Sequence, residues 1–159
     1  MTSERFVEMP EMQSALLVSP LSEDRDFLEK FFLQKGWELH ATPTGSSALA
    51  VLRERKIPVV ITERGLPVGD WKDLLVALQQ LPYNPLLVVT SRLAHEHLWA
   101  EVLNLGGHDV VAKPFQAEEL HWVLQSAWRS WENHKEYERN SSDTPIETVR
   151  HNPCPVFAA

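Results

Sequence analysis

Leu86-Leu87-Val88-Val89-Thr90, the run from Leu93 to Leu105, Gly106-Gly107 and Val110-Val111-Ala112 follow one another along the chain, and their reading decides the fold. The first piece is short, apolar and rich in β-branched residues, with the length and composition of a buried strand. The second is long enough for a helix, and the glycine pair stops it. The third is again short and β-branched. Strand, helix, strand in this order is a crossover unit, and such a unit joins parallel strands.

The same alternation extends in both directions from this stretch. Ala15-Leu16-Leu17-Val18 reads as the first strand. A helix follows, with Ser22 as the expected N-cap, Glu23 and Asp24 at its positive end, Phe27, Phe31 and Phe32 as its apolar series, and Gly36 as its stop. Glu38-Leu39-His40-Ala41 is a short extended piece, and Ala48, Leu49, Val51 and Leu52 mark the inner face of a second helix. Ile57 to Thr62 reads as a buried strand, and Leu74, Leu75 and Leu78 mark a third helix. A last helix runs from about Ala117 into the 130s with Leu120, Val123, Leu124, Ala127 and Trp131 roughly on one stripe. Five such units predict an α/β fold with a five-stranded parallel sheet and helices on both faces. The doubly wound, flavodoxin-like order 2-1-3-4-5 is the natural candidate, and its sites lie outside the carboxyl ends of the strands.

At 159 residues the chain suits one domain, expected over 14–132, with an N-terminal extension at 1–13 and a flexible C-terminal tail at 133–159. A formal charge of -7 argues against nucleic acid as a partner, since nonspecific binding depends on Lys and Arg neutralising phosphates. The densest basic cluster, Arg53-Glu54-Arg55-Lys56, reads as a solvated helix end. Cys154 is the single cysteine, which excludes an intrachain disulfide and a cysteine-rich metal site. No apolar run is long enough for a membrane span, and the acidic residues of the first thirteen positions do not suit a signal peptide. A cytoplasmic protein without membrane contact is expected.

Three segments then carry a resemblance to the receiver domain of two-component response regulators over about Ser14 to Trp131. Leu66-Pro67-Val68-Gly69-Asp70 looks like the turn after the phosphoacceptor strand. Lys113-Pro114-Phe115 looks like the Lys-Pro-Phe after the last strand, and Thr90 ends the fourth strand where receivers carry Thr or Ser. The helix entry Gly45-Ser46-Ser47-Ala48-Leu49 is also similar. In that family an acidic pair after the first strand and an acceptor Asp after the third hold Mg2+, while the Lys and the Thr or Ser bind phosphoryl oxygens.

On this resemblance the acidic pair falls on Ser19 and Pro20, the acceptor position on Glu63, and the position of the family's switch Tyr or Phe on Val110. Only Thr90 and Lys113 match the pattern. One carboxylate in place of three implies that Mg2+ is absent or weakly held, and no other cofactor or metal is indicated. Glu63 and Lys113 should both project into the crevice and form a standing salt bridge. Opposite charges about 4 Å apart attract by roughly 4 kcal/mol before desolvation, at an effective dielectric near about 20. Glu63 would then imitate the charge of an acyl phosphate, with Thr90 as its hydrogen-bond partner. The expected function is a phosphorylation-independent interaction module, not an enzyme. A working phosphorelay receiver with an unusual acceptor and a small-ligand sensor using the crevice are the alternatives.

Outside the crevice, Arg64 is either an exposed loop residue or a cover for the metal position, and His108 reads as exposed. His95 and His97 lie two apart and point to different helix faces, which disfavours a metal pair. Trp99, Trp122, Trp128 and Trp131 belong to the last two helices, which the resemblance makes a dimer and partner surface. Trp122, Trp128 and Trp131 cannot share one narrow stripe, so at least one should be exposed. The expected partner is a protein (a histidine kinase, another signalling protein, or a second copy in a homodimer through the last two helices).

Overall fold

The computed structural model describes residues 12–67, 69–93 and 95–141, with side chains described through Lys135. Strands β1 (Ser14–Val18), β2 (Glu38–Thr42), β3 (Val59–Glu63), β4 (Leu86–Ser91) and β5 (Asp109–Ala112) alternate with five helices. These are α1 (Ser22–Lys35), α2 (Gly45–Glu54), α3 (Trp71–Leu78), α4 (Glu96–Leu105) and α5 (Ala117–Ser141). Every strand pair is parallel and the order is β2-β1-β3-β4-β5, the doubly wound flavodoxin-like sheet that the alternation predicts.

The pleat divides the core. Successive strand residues face opposite sides, so Ala15, Leu17, Val59, Ile61, Val88 and Val111 pack with α1 and α5. Leu16, Val18, Val60, Leu87, Val89 and Val110 pack with α2, α3 and α4 on the other side. The central strands are apolar on both faces because helices cover both, which is why they read as continuous apolar runs.

Local signals set the element ends. Gly106 sits at φ 108° after α4, in the left-handed region that favours glycine. A Cβ on Gly107 would stand 2.5 Å from Val102, so the return to β5 needs two glycines for two different reasons. Thr44 and Asp70 cap α2 and α3 with their side chains. The start of α1 differs from the expectation: Leu21 is the N-cap residue, without a side-chain cap, and Ser22 is already helical. Ser19 does the local work instead, its hydroxyl accepting from Leu21 N at 3.1 Å.

Two corrections concern the last helix. It continues through residues 133–141, which the sequence reading assigned to a tail. The apolar stripe ends at Trp131, but Glu132, Lys135, Glu136, Glu138 and Arg139 are good helix formers, and no Gly or Pro interrupts them. Residues 142–159 of the expected tail and 1–11 of the expected extension lie outside the described residues. Second, Trp128 and Trp131 are buried, not surface anchors. They lie three apart, on the stripe of Leu120, Val123, Leu124 and Ala127. Trp128 meets Trp37 edge-on, and Trp131 donates its indole N–H to the Tyr83 carbonyl at 2.8 Å. Trp122 is the one that leaves the stripe, and it is 66% exposed.

Truncation should separate these roles. Trp128→Ala or Trp131→Ala should cost about 3–5 kcal/mol in urea unfolding, and Trp122→Ala should stay within about 0.5 kcal/mol of the parent.

Candidate functional site

Parallel register brings four strand ends to one edge of the sheet. Val18 pairs with Thr62, Glu63 with Thr90, and Ser91 with Ala112. The pairing continues one residue beyond the strands, where Lys113 N donates to Ser91 O at 3.0 Å and Arg64 N to Thr90 O at 2.8 Å. Ser19, Glu63, Thr90 and Lys113 therefore meet at one crevice, although they are far apart in sequence.

Lys113 is the centre of that crevice, with a side chain only 3% exposed. Its ammonium donates to Glu63 Oε1. It also donates to both oxygens of Asp24, at 3.2 and 3.0 Å. Asp24 is buried and accepts a third bond from the Ser19 hydroxyl at 2.9 Å. Thr90 donates its hydroxyl toward the Thr62 carbonyl at 3.3 Å and toward Glu63 Oε1 at 3.5 Å, the longer contact being weak. A buried ammonium must be paired, and here the pairing is double.

Sequence reasoning missed Asp24. It took the residue for a first-turn carboxylate at the positive end of α1, which it also is. The overlooked signal is helical spacing, because Asp24, Leu28, Phe31 and Phe32 are the four buried positions of α1. An acid on the apolar stripe points inward and must find a cation.

The remaining residues of this edge are placed as follows. Pro20 is exposed. Arg64 does not cover the crevice: it lines a hollow beside α3 with Asp70, Lys72 and Glu101. Arg92, after β4, reaches Glu23 of α1 at 3.2 Å, and both side chains are largely exposed. Among the described residues, no group of three or more His, Cys, Asp or Glu side chains is arranged to hold a metal ion.

Val110 takes no part in the crevice. It lies on the α4 side of β5, in a groove with His95, Glu96, Trp99, Ala112 and Glu119. Trp99 is 49% exposed and donates its indole N–H to Asp109 at 3.1 Å. His95 caps α4 through Nδ1, which accepts from Leu98 N at 3.3 Å, and its ring lies 6.2 Å from that of His97. His108 is half-buried, contrary to expectation, with Nε2 at 3.2 Å from the Ser126 hydroxyl. Burial lowers its pKa from the ordinary 6.5, and the neighbouring Asp109 charge partly opposes that. So of the four tryptophans named from sequence, only Trp99 and Trp122 reach the surface.

The sequence model of the response regulator receiver domain matches residues 16–125. The probable transcriptional regulatory protein TcrX of Mycobacterium tuberculosis is 37% identical over 96 residues, covering 60% of this chain and 41% of that protein. The KDP operon transcriptional regulatory protein KdpE of Escherichia coli is 29% identical over 118 residues, covering 74% of this chain and 52% of that protein. This chain thus spans about half or less of the length of these relatives. Among solved structures, the signal receiver domain of an HD domain-containing protein from Pseudomonas fluorescens superposes with a TM-score of 0.73 at 24% identity, covering 80% of this chain and 95% of that one. The chemotaxis response regulator CheY4 of Vibrio cholerae gives 0.67 at 20% identity, covering 74% and 99%. Both likenesses concern the fold.

Two outcomes follow from the side-chain environments. Asp24→Asn removes one of the two charges that face the buried ammonium and should cost about 1–3 kcal/mol in urea unfolding. For His108 the sign is fixed by its depressed pKa: the unfolded chain takes up the proton first. Stability is therefore lost as pH falls below about 6.5, until the folded-state pKa is passed. Thermal unfolding between about pH 7 and pH 5 should show a smaller loss of Tm in His108→Gln than in the parent.

Proposed function

The chain belongs to the response regulator receiver family of two-component signalling, and from that premise we propose that it works without phosphorylation, by binding a protein partner. The observation that carries this reading is the position of Lys113, held between Glu63 and Asp24 while Ser19 and Pro20 stand at the places of the family's acidic pair. Receiver domains are signalling modules, and this one contributes a surface in place of a transfer reaction.

The donor set does not fit the Mg2+ of a working receiver. Mg2+ asks for carboxylate and water oxygens in near-octahedral array. Ser19 Oγ is engaged by Asp24 and Leu21 N, and Pro20 has no side-chain ligand. The two carboxylates at this edge already share one ammonium, which would have to leave before a cation could enter. A phosphoryl group arriving at Glu63 would meet the same obstacle, since the Lys that should stabilise its charge is already neutralised.

Glu63 supplies one negative charge where an acyl phosphate would bring about two, and Thr90 lies within weak hydrogen-bond reach of it. The crevice thus holds one state, with no on-off cycle. Output depends on the helix and strand surface near it, where Trp99 and Trp122 are exposed. A histidine kinase or another signalling protein is the class of partner.

Incubation of the whole chain with Mg2+ and acetyl phosphate, and separately with beryllofluoride, tests the reading. Intact-mass spectra should show no added phosphate, and tryptophan emission should not change with Mg2+. Covalent phosphate on Glu63, or an emission change that needs Mg2+, would reject it.

A further inference from the structure

Beside the filled crevice, the carboxyl edge of the sheet carries a second opening, between the first turns of α2 and α3. It holds about 360 Å³, and none of Ser19, Asp24, Glu63, Thr90 and Lys113 lines it. That volume lies at the lower end of the roughly 300–1,000 Å³ of small-molecule sites. This edge is also where doubly wound sheets hold their ligands. The floor of the opening is apolar. Leu74 belongs to the core under α2, α3 and α4, and Leu49 and Leu66 pack against that core while remaining partly open. The space exists because small residues stand where side chains could fill it. Gly45 begins α2, and a Cβ there would meet nothing within 4 Å.

Four polar side chains border this floor, those of Thr44, Ser46, Asp70 and Asp73, and no Lys or Arg does. Thr44 and Asp70 are engaged as helix caps, accepting from Ser47 N at 3.1 Å and from Lys72 N at 2.9 Å. Arg64 and Lys72 share the neighbouring hollow with Asp70, and Glu101 holds Lys72 at 2.8 Å. Asp73 does not border that hollow. Its Oδ2 accepts from Asp70 N at 3.2 Å, and its carboxylate makes no ion pair among the described residues. Gly69, at φ 79°, keeps room for it, since a Cβ there would come within 2.8 Å of Oδ2. An exposed carboxylate beside an apolar floor is complementary to an ammonium on a short apolar body. The two helix N-termini do not reverse that preference, because Thr44 and Asp70 already cap them.

We propose that this opening binds a small primary amine with an apolar body. The alkyl or aryl part lies on Leu49, Leu66 and Leu74, and the ammonium lies at Asp73 with the exposed Ser46 hydroxyl as a further acceptor. The proposal goes beyond the reading of the crevice and does not depend on it. Leu66, Gly69 and Asp70 belong to the loop that joins Glu63 to α3, so an occupant would touch the segment that leads away from the crevice. A receiver whose crevice is filled by its own charges would thereby take a chemical input beside it.

The test is a titration of the whole nitrogen-15-labelled chain with phenethylamine at neutral pH. Amide shifts should saturate and map to Gly45, Leu49, Leu66, Gly69 and Asp73. Phenethyl alcohol has the same body without the charge and should bind about fivefold more weakly. Ethylamine lacks the ring and should bind at least about tenfold more weakly, and phenylpropionate should cause no shift. Asp73→Asn should weaken the amine about fivefold and leave the alcohol unchanged, a split that a merely structural role would not give. Gly45→Leu, at a helical position where leucine is the better helix former, should abolish binding of both without lowering Tm. Ser46→Trp, from an exposed position at the rim, should block the opening in the same way. No saturable shift, shifts at another face, equal binding of amine and alcohol, or binding that survives both blocking variants would overturn the proposal. Phosphate on Glu63 would end the reading of the crevice and leave this titration standing. A failed titration beside an unreactive Glu63 would end the amine site alone.

Discussion

A lysine ammonium taken out of water needs negative charge beside it, and at the carboxyl edge of this sheet that need organises three parts of the chain. Lys113 follows β5, Glu63 ends β3, and Asp24 lies in the first turn of α1. Removing an ion from water costs several kcal/mol, and the attraction offsets this only when the geometry satisfies both partners. Here the geometry is tight, with Ser19 closing the far side of Asp24. The arrangement contributes little net stability for its size, but it fixes which atoms face the crevice. An edge that could accommodate a cation and a phosphoryl group is filled by the protein's own charges.

The two-sided core is what holds the partners of this pairing in place. Because α1 and α5 cover one face and α2, α3 and α4 the other, the strand ends are held in register by burial on both sides. A shift of one strand by one residue would exchange its two sets of apolar side chains and move its crevice residue away. Trp128 and Trp131 belong to this core, and Tyr83 adds a polar tie: its hydroxyl reaches the Leu52 carbonyl at 2.9 Å, while its own carbonyl accepts from Trp131. Burial raises the pKa of that hydroxyl and so favours the protonated, donating form. The exposed indoles, Trp99 and Trp122, belong to neither core.

Most of the fold was legible because its strands are short β-branched runs between helices, a pattern with few topological solutions. Glu63, Thr90 and Lys113 could be placed because strand register carries sequence position directly into space. The misreadings came where one residue serves two rules. Asp24 satisfies the acidic preference of a helix start and also lies on the buried stripe, and the first reading hid the second. Trp128 looked like an interface residue from its element alone and Trp131 was read both as stripe and as interface, whereas Trp128 lies four residues after Leu124 and Trp131 four after Ala127, and both are buried. The extent of α5 beyond 132 was missed because amphipathic patterning marks where a helix is covered, not where it ends.

The state of the Lys113 ammonium is the direct test of this picture, and nitrogen-15 NMR of the lysine side chains reads it. Held between Glu63 and Asp24, the Lys113 Nζ group should give a slowly exchanging signal that correlates with both carboxylate carbons and does not move when millimolar Mg2+ is added. A fast-exchanging Lys113 signal, indistinguishable from the exposed lysines or shifted by Mg2+, would contradict it.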